Sequence, residues 1–87
     1  MTTDCIFCRI IAGEVPSDTV LQDDTVLAFR DVNPIAPTHV LVVPRRHIES
    51  VNDLTEHDED LMGHMVSVAR EVADREGVSE SGYRLVV

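Results

Sequence analysis

The sequence predicts an α+β domain, because its local signals read in the order short helix, hairpin, strand, long helix, strand. Three observations carry that order. A capped apolar periodicity of 3.6 runs through the second half. Two β-rich runs meet at an Asp-Asp pair, and a third follows a proline-rich loop. A compact apolar stretch with two cysteines opens the chain.

Each element has its own warrant. In "DCIFCRIIAGEVP", Asp4 is a plausible N-cap, Ile6 and Ile10 stand one helical turn apart, and so do Phe7 and Ile11. Gly13 and Pro16 stop the turn, giving a short helix over 5–12 that should be buried or wall a pocket on most of its circumference. "TVLQDDTVLAFRD" reads as a hairpin turning at Asp23 and Asp24, with Val20 and Leu21 before the turn and Val26, Leu27 and Phe29 after it. Pro34 and Pro37 remove backbone donors and make "NPIAPT" a loop. "HVLVVP" is apolar on both faces from Val40 to Val43 and reads as a central strand.

The long helix has Thr55 as cap with Asp58 three residues on, and Leu61, Met65, Val68 and Val72 along one face. Glu56 and the acidic residues 58–60 sit at its positive end, Arg70 and Arg75 near its negative end, and Gly77 ends it. "YRLVV" then reads as a fourth strand that closes without a turn signal or charge, an arrangement that predicts at least one further strand beside it.

Bulk properties narrow the function. Eighty-seven residues make one domain, and a chain of that size buries roughly 60 to 65% of its unfolded surface. A hydrophobic fraction of 44% with 26% charged residues suits a globular protein. Sixteen acidic against seven basic residues give a net charge of -9, which repels polymeric nucleic acid and anionic membrane surfaces. The chain shows neither a spanning apolar run nor a signal-peptide pattern, so the expected location is the cytoplasm.

In a reducing compartment, Cys5 and Cys8 suit ligands or catalytic groups better than a structural disulfide. As zinc ligands they lack a second paired half; His47, where the chain leaves the third strand, is the best third candidate. As a dithiol redox pair they lack the preceding strand of a βαβ unit, and as small hydrophobes they would simply pack. His57 and His64 read as surface residues of the long helix. Nucleophile-elbow, zincin and phosphate-loop motifs are all missing from the sequence. Asp31, after the strand "VLAFR", could accept hydrogen bonds from a diol such as ribose or from backbone donors of its own loop.

Taken together, "DCIFCRIIAGEVPS", "DDTVLAFRDVNPIAPTHVLVVPRRHI", "LMGHM" and "GYRLVV" closely resemble the histidine triad (HIT) family, in its Hint-like branch of nucleoside phosphoramidate hydrolases. The resemblance implies an antiparallel sheet of about five strands when complete, four of them in this chain, with a short and a long helix. It also implies a homodimer paired through 61–73 and 83–87. Ile6, Phe7, Ile10, Phe29 and Val32 match the apolar slot for a purine base, as in AMP or GMP, and Asp31 matches the carboxylate on the ribose hydroxyls. Cys5, Cys8 and His47 match three ligands of a structural Zn2+, and His39 matches a buried histidine that supports the active site.

One departure governs the activity. The family's His-x-His-x-His strand, which carries the histidine that attacks the α-phosphorus, has no counterpart in these residues, nor do the asparagine and glycines that contact phosphate. The expectation is therefore a single HIT-like domain over 1–87, shortened at its C-terminus, with the base and ribose half of the site and without the nucleophile. A non-catalytic zinc- and nucleotide-binding dimerisation module is the alternative.

Overall fold

The computed structural model describes residues 5–32 and 36–87. Its elements are α1 (Ile6–Ile11), β1 (Thr19–Gln22), β2 (Val26–Arg30), β3 (Val40–Pro44) and α2 (Glu59–Arg75), with 3-10 turns at Val51–Asp53 and Glu56–Asp58. The three strands form one antiparallel sheet in the order β1-β2-β3. Among the described residues no helix is long and apolar enough to cross a membrane.

The sheet has two differently covered faces, and the register assigns them. β2 pairs with β3 as Val26↔Pro44, Ala28↔Val42 and Arg30↔Val40 on one face, with Leu27↔Val43 and Phe29↔Leu41 on the other. Val26 and Ala28 pack against Val68 and Val72 of α2, and Val40, Val42, Leu61 and Met65 border this cluster. On the opposite face Phe7 of α1 meets Phe29, ring centroids 6.3 Å apart and planes tilted by 43°. Val20 and Leu21 both border the α2 cluster although they are adjacent in sequence. A break in register between Thr19 and Leu21 makes this possible, since a bulge interrupts the alternation of side chains.

The hairpin turn is held by its first aspartate. Asp23 Oδ1 accepts from the backbone N–H groups of Thr25 and Val26 at 2.9 and 2.8 Å and from the Thr25 hydroxyl at 3.2 Å. Its other oxygen lies 2.6 Å from Nε2 of His64, so the turn is also tied to α2. His64 is a surface residue, as its sequence position suggested, and its ring nitrogen contacts the turn carboxylate. The Thr25 N–H, followed by His64, holds the Asp23 carboxyl well below its ordinary value of 3.8.

The start of the long helix follows the sequence signal. Thr55 and Asp58 form a capping box, and Asp58 is buried, with its second oxygen against the Arg46 guanidinium. Regular α-helix begins at Glu59 after the 3-10 turn, and Gly77 follows the end with φ 76.

Four expectations change. The first helix is shorter, Ile6–Ile11, with Cys5 as its N-cap and its Sγ accepting from the Cys8 N–H at 3.4 Å; Asp4, the expected cap, lies outside the described residues. No residue of α1 is buried, because the helix touches the sheet through Phe7 and leaves its other sides open. β3 is an edge among the described strands and is half-buried along its length, whereas β2 is central and buried from Val26 to Phe29. The predicted fourth strand over 83–87 does not form: the segment has no ladder partner, and Val86 and Val87 are exposed at 84% and 95%. An apolar β-prone sequence becomes a strand only where a neighbour accepts its backbone hydrogen bonds.

Two measurements test this packing. Val72→Ala should cost about 2 kcal/mol through the lost methyl groups and the cavity left behind, seen in chemical denaturation as a lower midpoint with an unchanged slope. For Asp23 the folded carboxyl is depressed, so its contribution is complete above pH 3.8 and is lost as pH falls through the lower folded value. The stability gap between wild type and Asp23→Ala should therefore be widest above about pH 5 and close on acidification; a gap that stays constant to pH 2 would remove the proposed role of the turn carboxylate.

Candidate functional site

The site residues lie on the sheet face that α2 does not cover. Alternation along β2 puts Leu27, Phe29 and Asp31 on that face, and the register carries His39 opposite Asp31 just before β3 begins. The Asp31 N–H donates to the His39 carbonyl at 3.0 Å, so the ladder continues for one rung past the strand. The two side chains are then cross-strand neighbours, with Asp31 Oδ2 3.1 Å from His39 Nδ1. That nitrogen is buried and makes no aligned hydrogen bond to the carboxylate beside it. Both side chains keep partial exposure, 22% for Asp31 and 31% for His39, which leaves carboxylate surface for a ligand.

The apolar part of the site is Phe29, buried on the strand, with Phe7 standing over it from α1. Ile10 is half-buried, while Ile6 and Val32 are exposed at 47% and 84%. The structure thus joins Phe7 to Phe29 and Asp31 to His39 and leaves Ile6 and Val32 open to solvent. Asn33 and Pro34, which follow Val32, lie outside the described residues. One concavity runs between β3, α2 and residues 83–85, another among Arg45, Arg46, His57 and Leu61.

The second group joins the two ends of the sheet's open face. Cys8 Sγ lies 3.1 Å from His47 Nδ1, although 39 positions separate them in sequence. The donor atoms of Cys5, Cys8 and His47 all fall within 4.8 Å of one another. Tetrahedral zinc with thiolate and imidazole ligands needs donor separations of about 3.5–3.8 Å, so this donor set fits such an ion after small side-chain adjustments. The Cys8 N–H lowers the Cys5 thiol below its ordinary value, and hydrogen bonding to Cys5 raises that of Cys8. One thiolate of the pair is thereby favoured over two.

Sequence reasoning passed over the residue between Phe29 and Asp31. Arg30 points to the α2 face, where Nη2 and Nε reach the two oxygens of Glu76 at 2.7 and 3.3 Å and Nη1 reaches Asp18 at 3.2 Å. Glu76, then Asp18, raises the Arg30 guanidinium above its ordinary value. The signal was available: strand alternation puts Arg30 beside Val26 and Ala28 on the helix-covered face, where a cation requires a partner.

Comparison with known proteins places this arrangement. The family model described as scavenger mRNA decapping enzyme C-terminal binding matches residues 4–86. The purine nucleoside phosphoramidase of Escherichia coli K12 is 48% identical over all 87 residues, which cover 73% of its length. An uncharacterized HIT-like protein of Synechococcus elongatus is 44% identical over the whole chain and 75% of its own. A crystal structure of a HIT family hydrolase from Legionella pneumophila superposes with a TM-score of 0.92 at 46% identity, covering 95% of this chain and 74% of that one. A histidine triad protein from Clostridium difficile gives 0.92 at 43% identity over 99% and 75%. A family match along nearly the whole chain, with relatives this similar in sequence and in fold, means that the chain belongs to the histidine triad family.

Proposed function

We propose that the chain binds a purine nucleoside monophosphate, such as AMP or GMP, on the open face of the sheet, with the base against Phe7 and Phe29 and the ribose hydroxyls on Asp31. The observation that carries this reading is the juxtaposition itself: a tilted aromatic pair and a partly exposed carboxylate share one face, at alternate positions along β2 and its continuation. A base offers a flat apolar surface and a ribose a vicinal diol, and these two supports match them at the spacing of one strand repeat. Ile6, Ile10 and Val32 would close around the base when it is present. His39 would hold the Asp31 carboxylate on this face.

The likeness to a purine nucleoside phosphoramidase supports chemistry at the α-phosphate. In the complete family mechanism a histidine attacks that phosphorus, forming a nucleotidyl-histidine that water resolves. Among these 87 residues that nucleophile has no candidate: His39 lies against Asp31, His47 against Cys8, His64 against Asp23, and His57 lines a separate concavity with Arg45 and Arg46. The role proposed for this polypeptide is therefore nucleotide binding.

Cys5, Cys8 and His47 are proposed to hold a structural zinc ion, which would tie the start of α1 to the end of β3. A second copy is proposed to pair through the outer side of α2 and residues 83–87, where Val66, Tyr83, Leu85, Val86 and Val87 are exposed. The inner side of α2 is already used, since Leu61, Met65, Val68 and Val72 cover the chain's own sheet. These two features favour the dimerisation-module reading as the second one.

Two experiments test the site. Calorimetric titration with AMP should show binding that Asp31→Ala weakens by roughly tenfold, the loss expected for a charge-assisted contact, while adenosine phosphoramidate supplied to the 87-residue polypeptide should give no turnover; tight binding indifferent to Asp31 would discard the assignment, and robust turnover would discard the division of roles. For the metal, one zinc per chain by elemental analysis and a melting temperature that falls on chelation are expected, with both signatures absent in Cys8→Ser.

A further inference from the structure

We propose that Arg30 is a positioning residue for Asp31: from the opposite face of the sheet it anchors the end of β2 and so sets where the ribose-binding carboxylate stands. This inference deepens the nucleotide reading and rests on it. Arg30 and Asp31 are adjacent and point to opposite faces, so the two side chains cannot share a ligand. What they share is the backbone at which β2 gives way to the loop.

Three bonds converge on that point from the helix side. The Arg30 guanidinium takes both oxygens of Glu76 in a forked arrangement, at 2.7 and 3.3 Å, and its remaining nitrogen reaches Asp18 at 3.2 Å. Its backbone N–H also donates to the Asp18 carbonyl at 2.9 Å. Glu76 is itself held at the end of α2, where its N–H donates to the Val72 carbonyl at 2.8 Å, and its side chain is only 13% exposed. One residue therefore joins the entry to β1, the exit of β2 and the C-terminal end of the long helix.

On the ligand side, the next residue stands just past the last residue of β2. The Asp31 N–H donates to the His39 carbonyl and its carboxylate faces His39, but β2 has ended and Val32 is already exposed at 84%. A planar fork fixes direction as well as distance, which a single-point cation does not. Rotation of the β2 end would swing the Asp31 carboxylate relative to Phe29, and binding groups lose affinity steeply when displaced by about an ångström.

The test compares AMP with 2′,3′-dideoxyadenosine monophosphate, which lacks the hydroxyls that Asp31 would bind. In calorimetric titrations of the 87-residue chain, Arg30→Ala should weaken AMP by roughly three- to tenfold and leave the dideoxy nucleotide within about twofold of wild type. Arg30→Ala combined with Asp31→Ala should bind AMP no more weakly than Asp31→Ala alone. Arg30→Lys, which keeps the charge and the packing of the stem, should fall between wild type and Arg30→Ala, and it carries the same comparison if the alanine variant unfolds. Equal weakening of both nucleotides by either Arg30 variant would overturn the proposal, as would unchanged AMP affinity. If Asp31→Ala leaves AMP binding intact, the ribose assignment fails first and this inference falls with it.

Discussion

The burial of β2 is the constraint on which the rest of the molecule depends. Val26, Leu27, Ala28 and Phe29 are the only four consecutive buried residues among those described, and they are buried because partners arrive on every side. β1 and β3 satisfy the backbone, α2 covers Val26 and Ala28, and the aromatic contact from α1 helps cover Phe29. A chain this short has little other apolar interior to draw on. The remaining elements can be ranked by how directly they touch this strand.

That ranking explains the division of the sheet into a stable and an open face. α2 presents a continuous apolar stripe and is fixed at both ends, by the Thr55–Asp58 box at one and by Glu76 with Arg30 at the other. α1 presents one aromatic ring to the sheet and is joined again through Cys8 and His47. Of the residues read as a base slot, Phe29 is buried, while Ile6, Phe7 and Val32 are exposed because α1 covers that face only in part.

Local chemistry made much of this legible in the sequence, and pairing made the rest illegible. The hairpin, the capping box and the Leu61-Met65-Val68-Val72 stripe depend on neighbours within a few residues, and each was readable as written. The rank of β2 over β3 was not, because both runs are apolar and only the covering helices decide which lies deeper. Residues 83–87 show the limit from the other side: their composition favours a strand, but composition supplies no hydrogen-bonding edge. At the site, Asp31 was singled out by its place after an apolar strand and matched to a ribose carboxylate by the family resemblance, whereas its contact with His39 required the β2–β3 register. Arg30 was missed because attention to motifs favours the residue facing the ligand over the one bracing it from behind.

Charge gives the last step. With a net charge of -9 the chain repels a nucleotide's phosphate at long range, and the nearby cations are already committed: Arg30 to Glu76 and Asp18, Arg45 to the Asp23 carbonyl and Gln22, Arg46 to Asp58. The site face brings together an aromatic surface and a carboxylate. In the proposed binding mode recognition comes from the nucleoside, through contact with the aromatic rings and diol hydrogen bonds that depend on short-range geometry. In such a binding mode the direction of one carboxylate matters more than the total charge around it.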